Sequence, residues 1–244
     1  MLVNIDISQL EWVTLLWFSQ DTVGIAEYLG GVDQHSTNQA TFGLPERRIA
    51  KIFVFRLIYG GSKWAYALDP DFNWISKDPR YWQKVIDKFY AKYTNIADQH
   101  AKWIRTVIET GQLVMPTGRV FKFDRYLNKR GELEWPRTQI LNWPIQGTGH
   151  DIVTIARVSL HKRIKADESL ASRVHFVSTV HDSIVLDCSF QRVDREFHAL
   201  DGIIRGVFAD VPSNFARLFN VNLNLPIAAE VSIGENLLDK TVVM

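Results

Sequence analysis

With 244 residues, 46% hydrophobic and 23% charged, the chain has the material for one or two globular domains and is too apolar for intrinsic disorder. Its 28 Lys and Arg nearly balance its 27 Asp and Glu, so no strongly basic or acidic character announces a partner, although a local patch can act within a neutral whole. The single cysteine, Cys188, excludes an intramolecular disulfide and a cysteine-rich zinc site. A membrane span needs about 20 consecutive apolar residues. The densest run, residues 10–18, is shorter and contains Glu11. No basic segment followed by an apolar stretch opens the sequence. The expectation is a cytoplasmic protein with no signal or transmembrane segment and no membrane partner.

Residues 2–5 read as a short strand that ends at Asp6. Ser8 and Glu11 then stand at capping-box spacing before an apolar helix that runs to about Ser19. Gly30-Gly31 breaks the chain. A helix is expected from Pro45 to Gly60, closed by Gly60-Gly61. From Pro79 to Thr110 the text is helical and rich in aromatics, with Gly111 as its stop. Residues 112–136 read as strands and turns. A further helix is expected from about Gln146, with Ile152, Ile155, Ala156 and Leu160 on one side. Residues 174–180 and 183–188 are rich in β-branched side chains and predict a hairpin with His181-Asp182 at its tip. Residues 193–208 have helical spacing, and 226–233 predict a final strand. Strands gather at the two ends and helices fill the middle, which is an α+β pattern.

Two groups of residues could carry chemistry. Arg47, Lys51, Phe55 and Tyr59 recur every four residues, so each step drifts only about 40° around a helix. Two cations followed by two aromatics suit a phosphate-bearing ligand with a flat base. The same spacing also describes an amphipathic helix with solvated charges. Asp6 and Asp182 both sit at or beside strand ends, where a carboxylate can reach out from a sheet. A pair of aspartates can hold Mg²⁺ ions that bridge to phosphates. Aspartate at a strand end is also an ordinary turn residue. Neither a Walker loop, a dinucleotide glycine fingerprint nor a Ser/His/Asp set competes.

Taken in order, these features resemble the polymerase core of the family A DNA polymerases, the group of bacterial DNA polymerase I and T7-like phage replicases. Asp6-Ile7-Ser8-Gln9-Leu10-Glu11 is similar to motif A. Arg47-Arg48-Ile49-Ala50-Lys51 through Phe55 to Tyr59-Gly60 is similar to motif B, and Val180-His181-Asp182 to motif C. Asp33-Gln34-His35, Gly118-Arg119, Asn142 with Pro144-Ile145-Gln146-Gly147-Thr148, and Ala229-Glu230 with Gly234-Glu235-Asn236 extend the likeness over nearly the whole chain.

The resemblance implies a right-hand polymerase fold reduced to fingers and catalytic palm, with an antiparallel palm sheet and helical fingers. Residues 1–12 would be the first palm strand, 13–140 the fingers with the motif B helix at 45–60, and 141–244 the rest of the palm with the motif C hairpin at 174–188. Asp6 and Asp182, assisted by the Ile7 carbonyl, would hold two Mg²⁺ ions. Arg47 and Lys51 would bind the incoming dNTP, with Lys51 the candidate proton donor to pyrophosphate and His35 and Gln9 as further phosphate contacts. Phe55 would lie against the sugar, Tyr59 would gate the template base, and Glu11 would crowd the 2′ position and so reject ribonucleotides. Asn142, Gln146 and His181 would read the minor groove of primer-template DNA, with Arg119 also on the DNA.

Some positions depart from the family pattern. Ser183 stands where a glutamate is usual, Arg56 where glycine is usual and Leu237 where tryptophan is usual. Thr138 occupies a usual arginine position, with Arg137 one place away. Only five residues precede Asp6, so thumb and 3′–5′ exonuclease are expected to be absent. An upstream polymerase fragment supplying the thumb is the expected partner of a split or truncated enzyme of phage type. A single-subunit RNA polymerase is disfavoured by Glu11 and Phe55. A non-catalytic module derived from a polymerase is the alternative from a different class.

Overall fold

The computed structural model describes residues 1–243. Strand β1 (Leu2–Ile7) leads into helix α1 (Leu10–Ser19). Helices α2 (Thr22–Leu29), α3 (Gln34–Phe42), α4 (Arg47–Ile58), α5 (Lys63–Leu68), α6 (Pro70–Asn73), α7 (Pro79–Lys92) and α8 (Thr94–Thr110) follow. Two short hairpins, β2 (Gln112–Val114) with β3 (Val120–Lys122) and β4 (Tyr126–Leu127) with β5 (Leu133–Glu134), precede the long α9 (Arg137–Ala166). Then come β6 (Val174–Val180), β7 (Ser183–Cys188), α10 (Arg195–Phe219), β8 (Ala229–Gly234) and β9 (Lys240–Val242). The class is α+β, and the chain forms two compact units.

The first unit comprises residues 1–14 and 146–243. Its sheet runs β6-β7-β1-β8-β9 and is antiparallel throughout. β1 lies at its centre, and strand side chains alternate between faces. Val3, Ile5 and Ile7 share one face and are essentially solvent-free, like Ile184, Leu186 and Val231 on the neighbouring strands. The core also takes Ile152, Ala156 and Leu160 from α9 and Leu200, Ile204, Val207, Val211 and Phe215 from α10. The alternation places Leu2, Asn4 and Asp6 on the opposite face. Burying one apolar face therefore fixes where the Asp6 carboxylate must point.

The second unit, Leu15–Ile145, is helical. Its core is aromatic: Phe53, Tyr66, Phe72 and Trp82 meet ring to ring with centroids 4.9–6.3 Å apart. The buried Tyr66 hydroxyl donates to the Phe53 carbonyl at 3.0 Å, so the ring's one polar atom is satisfied. Asp21, Asp33, Ser62, Asp69 and Asp78 cap α2, α3, α5, α6 and α7 with side-chain oxygens. Gly60 has φ +88, and a Cβ on Gly61 would lie 2.7 Å from the Arg56 carbonyl oxygen, so glycines end α4 for two different reasons.

Several boundaries differ from the sequence expectations. α4 starts at Arg47 and ends at Ile58, two residues inside the expected 45–60 at each end. Residues 79–110 form two helices, broken at Tyr93, where φ −112 and ψ 71 leave helical geometry. α9 begins at Arg137 rather than near Gln146, because Pro144 is accommodated inside the helix instead of opening it. α10 likewise runs past residue 208 through Pro212 to Phe219. No hydrogen bond joins Ser8 and Glu11 among the described residues. α1 opens instead from Gln9, whose φ is +55 and whose carbonyl accepts from Val13.

Candidate active site

In the first unit the chemistry gathers at one end of β1. Asp6 pairs with Ser183 on β7 and with Glu230 on β8, and residues directly opposite in a ladder share a face. The Ile7 amide donates to the Asp182 carbonyl at 3.1 Å, which ties the end of β1 to the β6–β7 turn. That turn is tight: His181 has φ +53, and the Ser183 hydroxyl donates to the Val180 carbonyl at 3.0 Å. Asp6 and Asp182, far apart in sequence, are therefore neighbours in space.

Their charges are felt. Partial burial, then the carboxylates of Asp182 and Glu230, push the Asp6 carboxyl above its ordinary value, with Lys240 opposing and Glu11 adding to the rise. A cluster of carboxylates with one opposing cation attracts positive charge. Among the described residues no three His, Cys, Asp or Glu side chains form a metal cage. Mg²⁺ is commonly held by one or two carboxylates plus substrate phosphates rather than by such a cage, so this donor set fits it. Glu230 was overlooked as a site residue, because only the β1–β8 pairing brings it beside Asp6. Ser183 lies on the other side of Asp6.

Glu11, one turn into this unit's part of α1, accepts a long hydrogen bond of 3.4 Å from Gln146. Gln9 and His181 are solvent-exposed. The unit thus brings together Asp6, Ile7 and Asp182 at the strand end, and Glu11 with Gln146.

In the second unit, α4 buries Ile49, Ala50, Phe53, Val54, Leu57 and Ile58 on one side. Its other side carries Arg47 and Lys51, both exposed, then Phe55 and Tyr59, both half-buried. His35, on α3, is 8% exposed and packs against Phe55 with ring centroids 6.0 Å apart. Burial, together with the charges of Arg47 and Lys51, pushes the His35 imidazole down to about 4, so at neutral pH it is an uncharged donor or acceptor rather than a cation. Arg47 is engaged: its Nε and Nη2 donate to the Asp33 carboxylate at 2.7 and 3.1 Å. Asp33 also accepts from the amides of His35 and Ser36 at the start of α3. The Asp33 carboxylate, two residues before His35, thereby joins the first turn of α4 to the start of α3. Sequence reading placed the α4 face and His35 but not this clamp, which needs a contact across fourteen positions.

The remaining DNA candidates of this unit lie apart from that face in sequence. Asn142 lies on α9 with its Oδ1 buried and, among the described residues, without a hydrogen-bond partner. Arg119 is exposed at the foot of β3, close in sequence to the exposed Lys122, Arg125, Lys129 and Arg130. Arg125 lies over the Trp135 ring at 5.4 Å.

An antiparallel sheet that carries two aspartates at one end, in a chain that also contains a helical unit with a cationic and aromatic face, is the α+β make-up expected of a polymerase domain. No thumb or exonuclease is evident among the described residues. The family model of DNA polymerase family A matches residues 1–239, and the chain belongs to that family. Thermostable DNA polymerase I of Thermus aquaticus is 26% identical over 249 residues, covering 97% of this chain and 27% of that protein. DNA polymerase I of Lactococcus lactis subsp. lactis (strain IL1403) is 30% identical over 207 residues, covering 80% of this chain and 22% of that one. The DNA polymerase of Bacillus phage SP01 is 25% identical over 250 residues, covering 97% and 26%. The chain thus spans about a quarter of the length of the curated relatives it matches. In fold it is similar to the POL domain of Pol1 from M. smegmatis, solved in complex with DNA primer-template and dNTP. That likeness has a TM-score of 0.76 at 20% identity and covers 94% of this chain and 38% of that one.

Proposed function

We propose that this chain carries the catalytic portion of a template-directed DNA polymerase, transferring nucleotides from dNTPs to a primer 3′-hydroxyl. The observation that carries the reading is the pairing of Asp6 with the Asp182 turn at one sheet end, where burial first and the neighbouring Asp182 and Glu230 carboxylates second raise the Asp6 carboxyl. Two Mg²⁺ ions at Asp6, Asp182 and the Ile7 carbonyl would supply charge neutralisation of the triphosphate and activation of the 3′-hydroxyl. The two carboxylates orient that charge, and Glu230 adds a further anionic group beside Asp6.

The cationic side of α4 receives the triphosphate. Lys51 offers a mobile ammonium to its phosphates and a proton to the departing pyrophosphate. Arg47 exchanges its Asp33 partner for phosphate, and neutral His35 and the exposed Gln9 add hydrogen bonds. Phe55 lies against the sugar and Tyr59 at the template base. Glu11 excludes a 2′-hydroxyl from the position it occupies. Asn142, Gln146, His181 and Arg119 contact primer-template, through minor-groove acceptors that every correct base pair presents. We place the protein in the cytoplasm of a bacterial cell, in phage replication, and pair it with an upstream fragment that supplies a thumb. Among the described residues no helix is long and apolar enough to cross a membrane.

Primer extension with Mg²⁺ and dNTPs tests the reading, with Asp6→Ala and Asp182→Ala as controls. Extension by the wild-type chain that both substitutions abolish is the expected result. Undiminished extension in either variant overturns the two-aspartate assignment. Primer-template binding without extension favours the second reading, a binding module derived from a polymerase.

A further inference from the structure

The second unit has a groove of about 600 Å³ that the polymerase reading does not use. Its wall is one stripe of α8: Ala97, Ala101, Ile104 and Ile108. The spacing 4-3-4 is that of the a and d positions of a heptad, the seam by which one helix receives another. The two alanines leave the backbone open to close approach, and Ile108 is 55% exposed although it ends an apolar row. Over residues 97–108 the stripe is about 16 Å long, or three helical turns.

The groove also contains unfinished polar chemistry. His100 is 2% exposed, and its Nδ1 faces the Tyr90 hydroxyl at 3.1 Å, while its Nε2 has no hydrogen-bond partner. Buried polar atoms in folded proteins are nearly always paired, so this orphan marks the wall beneath the groove as a place where the packing is not finished. Burial and the nearby Arg137 push this imidazole down to about 3, so it offers a neutral nitrogen. Arg105 and Arg137 line the same groove, both exposed and neither in an ion pair among the described residues, and none of the lining residues is acidic.

We infer that the α8 groove is a docking site for an amphipathic, acid-flanked helix of a partner polypeptide, its apolar stripe seated on Ala97, Ala101, Ile104 and Ile108 and its carboxylates on Arg105 and Arg137. Single-stranded nucleic acid fits less well, because its usual platform is a row of exposed aromatic rings and this wall is aliphatic. The inference does not depend on polymerase activity.

The probe is a fluorescein-labelled three-heptad peptide with leucine at a and d and glutamate at e and g, titrated with the full chain by fluorescence anisotropy. Its counterpart has lysine at e and g, and labelled oligo(dT) serves as a third probe. Saturable binding of the glutamate peptide is expected, at least about tenfold tighter than the lysine peptide. Ala101→Trp, on an exposed surface, fills the seam and should weaken binding about tenfold. Ile108→Glu should do the same, and provides a second variant should the tryptophan disturb the helix. Arg105→Glu with Arg137→Glu should reverse the preference between the two peptides. No binding, equal binding of both peptides, indifference to both seam variants, or displacement of the peptide by oligo(dT) would each overturn the inference.

Discussion

The amide of Ile7 donates to the carbonyl of Asp182 at 3.1 Å, and this one backbone bond ties the end of β1 to the β6–β7 turn, 175 positions later in the sequence. Its consequence falls on the residue before it. Asp6 is held on the hydrophilic face of β1, between Ser183 and Glu230 and beside Asp182. The carboxyl is raised by burial first and by its anionic neighbours second. A carboxyl raised in the fold costs stability once pH exceeds its unfolded value and it ionises, whereas below that value the penalty is absent. Asp6→Asn should therefore raise the melting temperature at pH 7 while abolishing extension, and the gain should vanish toward pH 3.8 and below. A melt series from pH 3.5 to 7.5 measures it, and a variant less stable than wild type at pH 7 would contradict this account.

The same crowding predicts a response to cations. Millimolar Mg²⁺ should raise the wild-type melting temperature, since any ion bound only by the folded state stabilises it. Asp6→Asn and Asp182→Asn should lose most of that increment. Chelator should restore the metal-free value in wild type and leave both variants unmoved. An equal Mg²⁺ shift in all three proteins would place the ion elsewhere.

Arg47 cannot hold a triphosphate and Asp33 through the same two nitrogens. The pair is exposed, so its strength is modest and screened by salt. Asp33→Asn keeps a side-chain oxygen able to cap α3 and removes the competing charge. Binding of a fluorescent dATP analogue should tighten about two- to fivefold in this variant at low ionic strength, and less at 0.5 M salt. Arg47→Ala should weaken binding and make Asp33→Asn silent in its background.

Much of this was legible in the sequence, for identifiable reasons. The hairpin at 174–188 declared itself through β-branched runs on either side of a polar tip, and β7 starts at the expected Ser183. The four-residue repeat of Arg47, Lys51, Phe55 and Tyr59 needed only helical geometry to become a face. What escaped was long-range or locally contradictory. Pro144 and Pro212 signal breaks, yet α9 and α10 run through both, with Ile140, Ile145, Val211 and Phe215 buried around the two prolines. The Ser8–Glu11 spacing satisfied a local rule that Gln9 overrides by taking positive φ. Glu230 and Asp33 gained their roles only from pairing across the sheet and across two helices, which no local pattern encodes.

Arg56, where the family has glycine, is absorbed by the second unit. Its guanidinium pairs with Asp69 at 2.8 Å and lies 4.9 Å from the Phe72 ring centre, both groups being about a quarter exposed. It pins the end of α4 to α5 and α6. Arg56→Ala should cost about 1–2 kcal/mol, from a partly buried ion pair and one cation–π contact. Gly61→Ala should cost more, because its Cβ would meet the Arg56 backbone oxygen at 2.7 Å, and shortening the Arg56 side chain would not relieve that clash. Urea denaturation of the two single variants and the double variant measures both effects.

His100 should be a source of acid sensitivity. In the fold its imidazole is pushed down to about 3, by burial first and by Arg137 second, while the unfolded chain takes up a proton near 6.5. Between those values the unfolded state binds more protons, so stability falls as pH falls from 6.5 toward 3 and levels off below. His35, pushed down to about 4, contributes over the upper part of the same window. One fully coupled proton gives a slope of about 1.4 kcal/mol per pH unit. His100→Phe retains a ring to stack on Trp103 but deprives Tyr90 of its partner, so absolute stability drops and only the slope is diagnostic. Urea-unfolding free energies at pH 4.5, 5.5 and 6.5 should fall less steeply in His100→Phe than in wild type, by up to about 1.4 kcal/mol per pH unit. Parallel curves would show that the imidazole titrates alike in both states and would overturn this account.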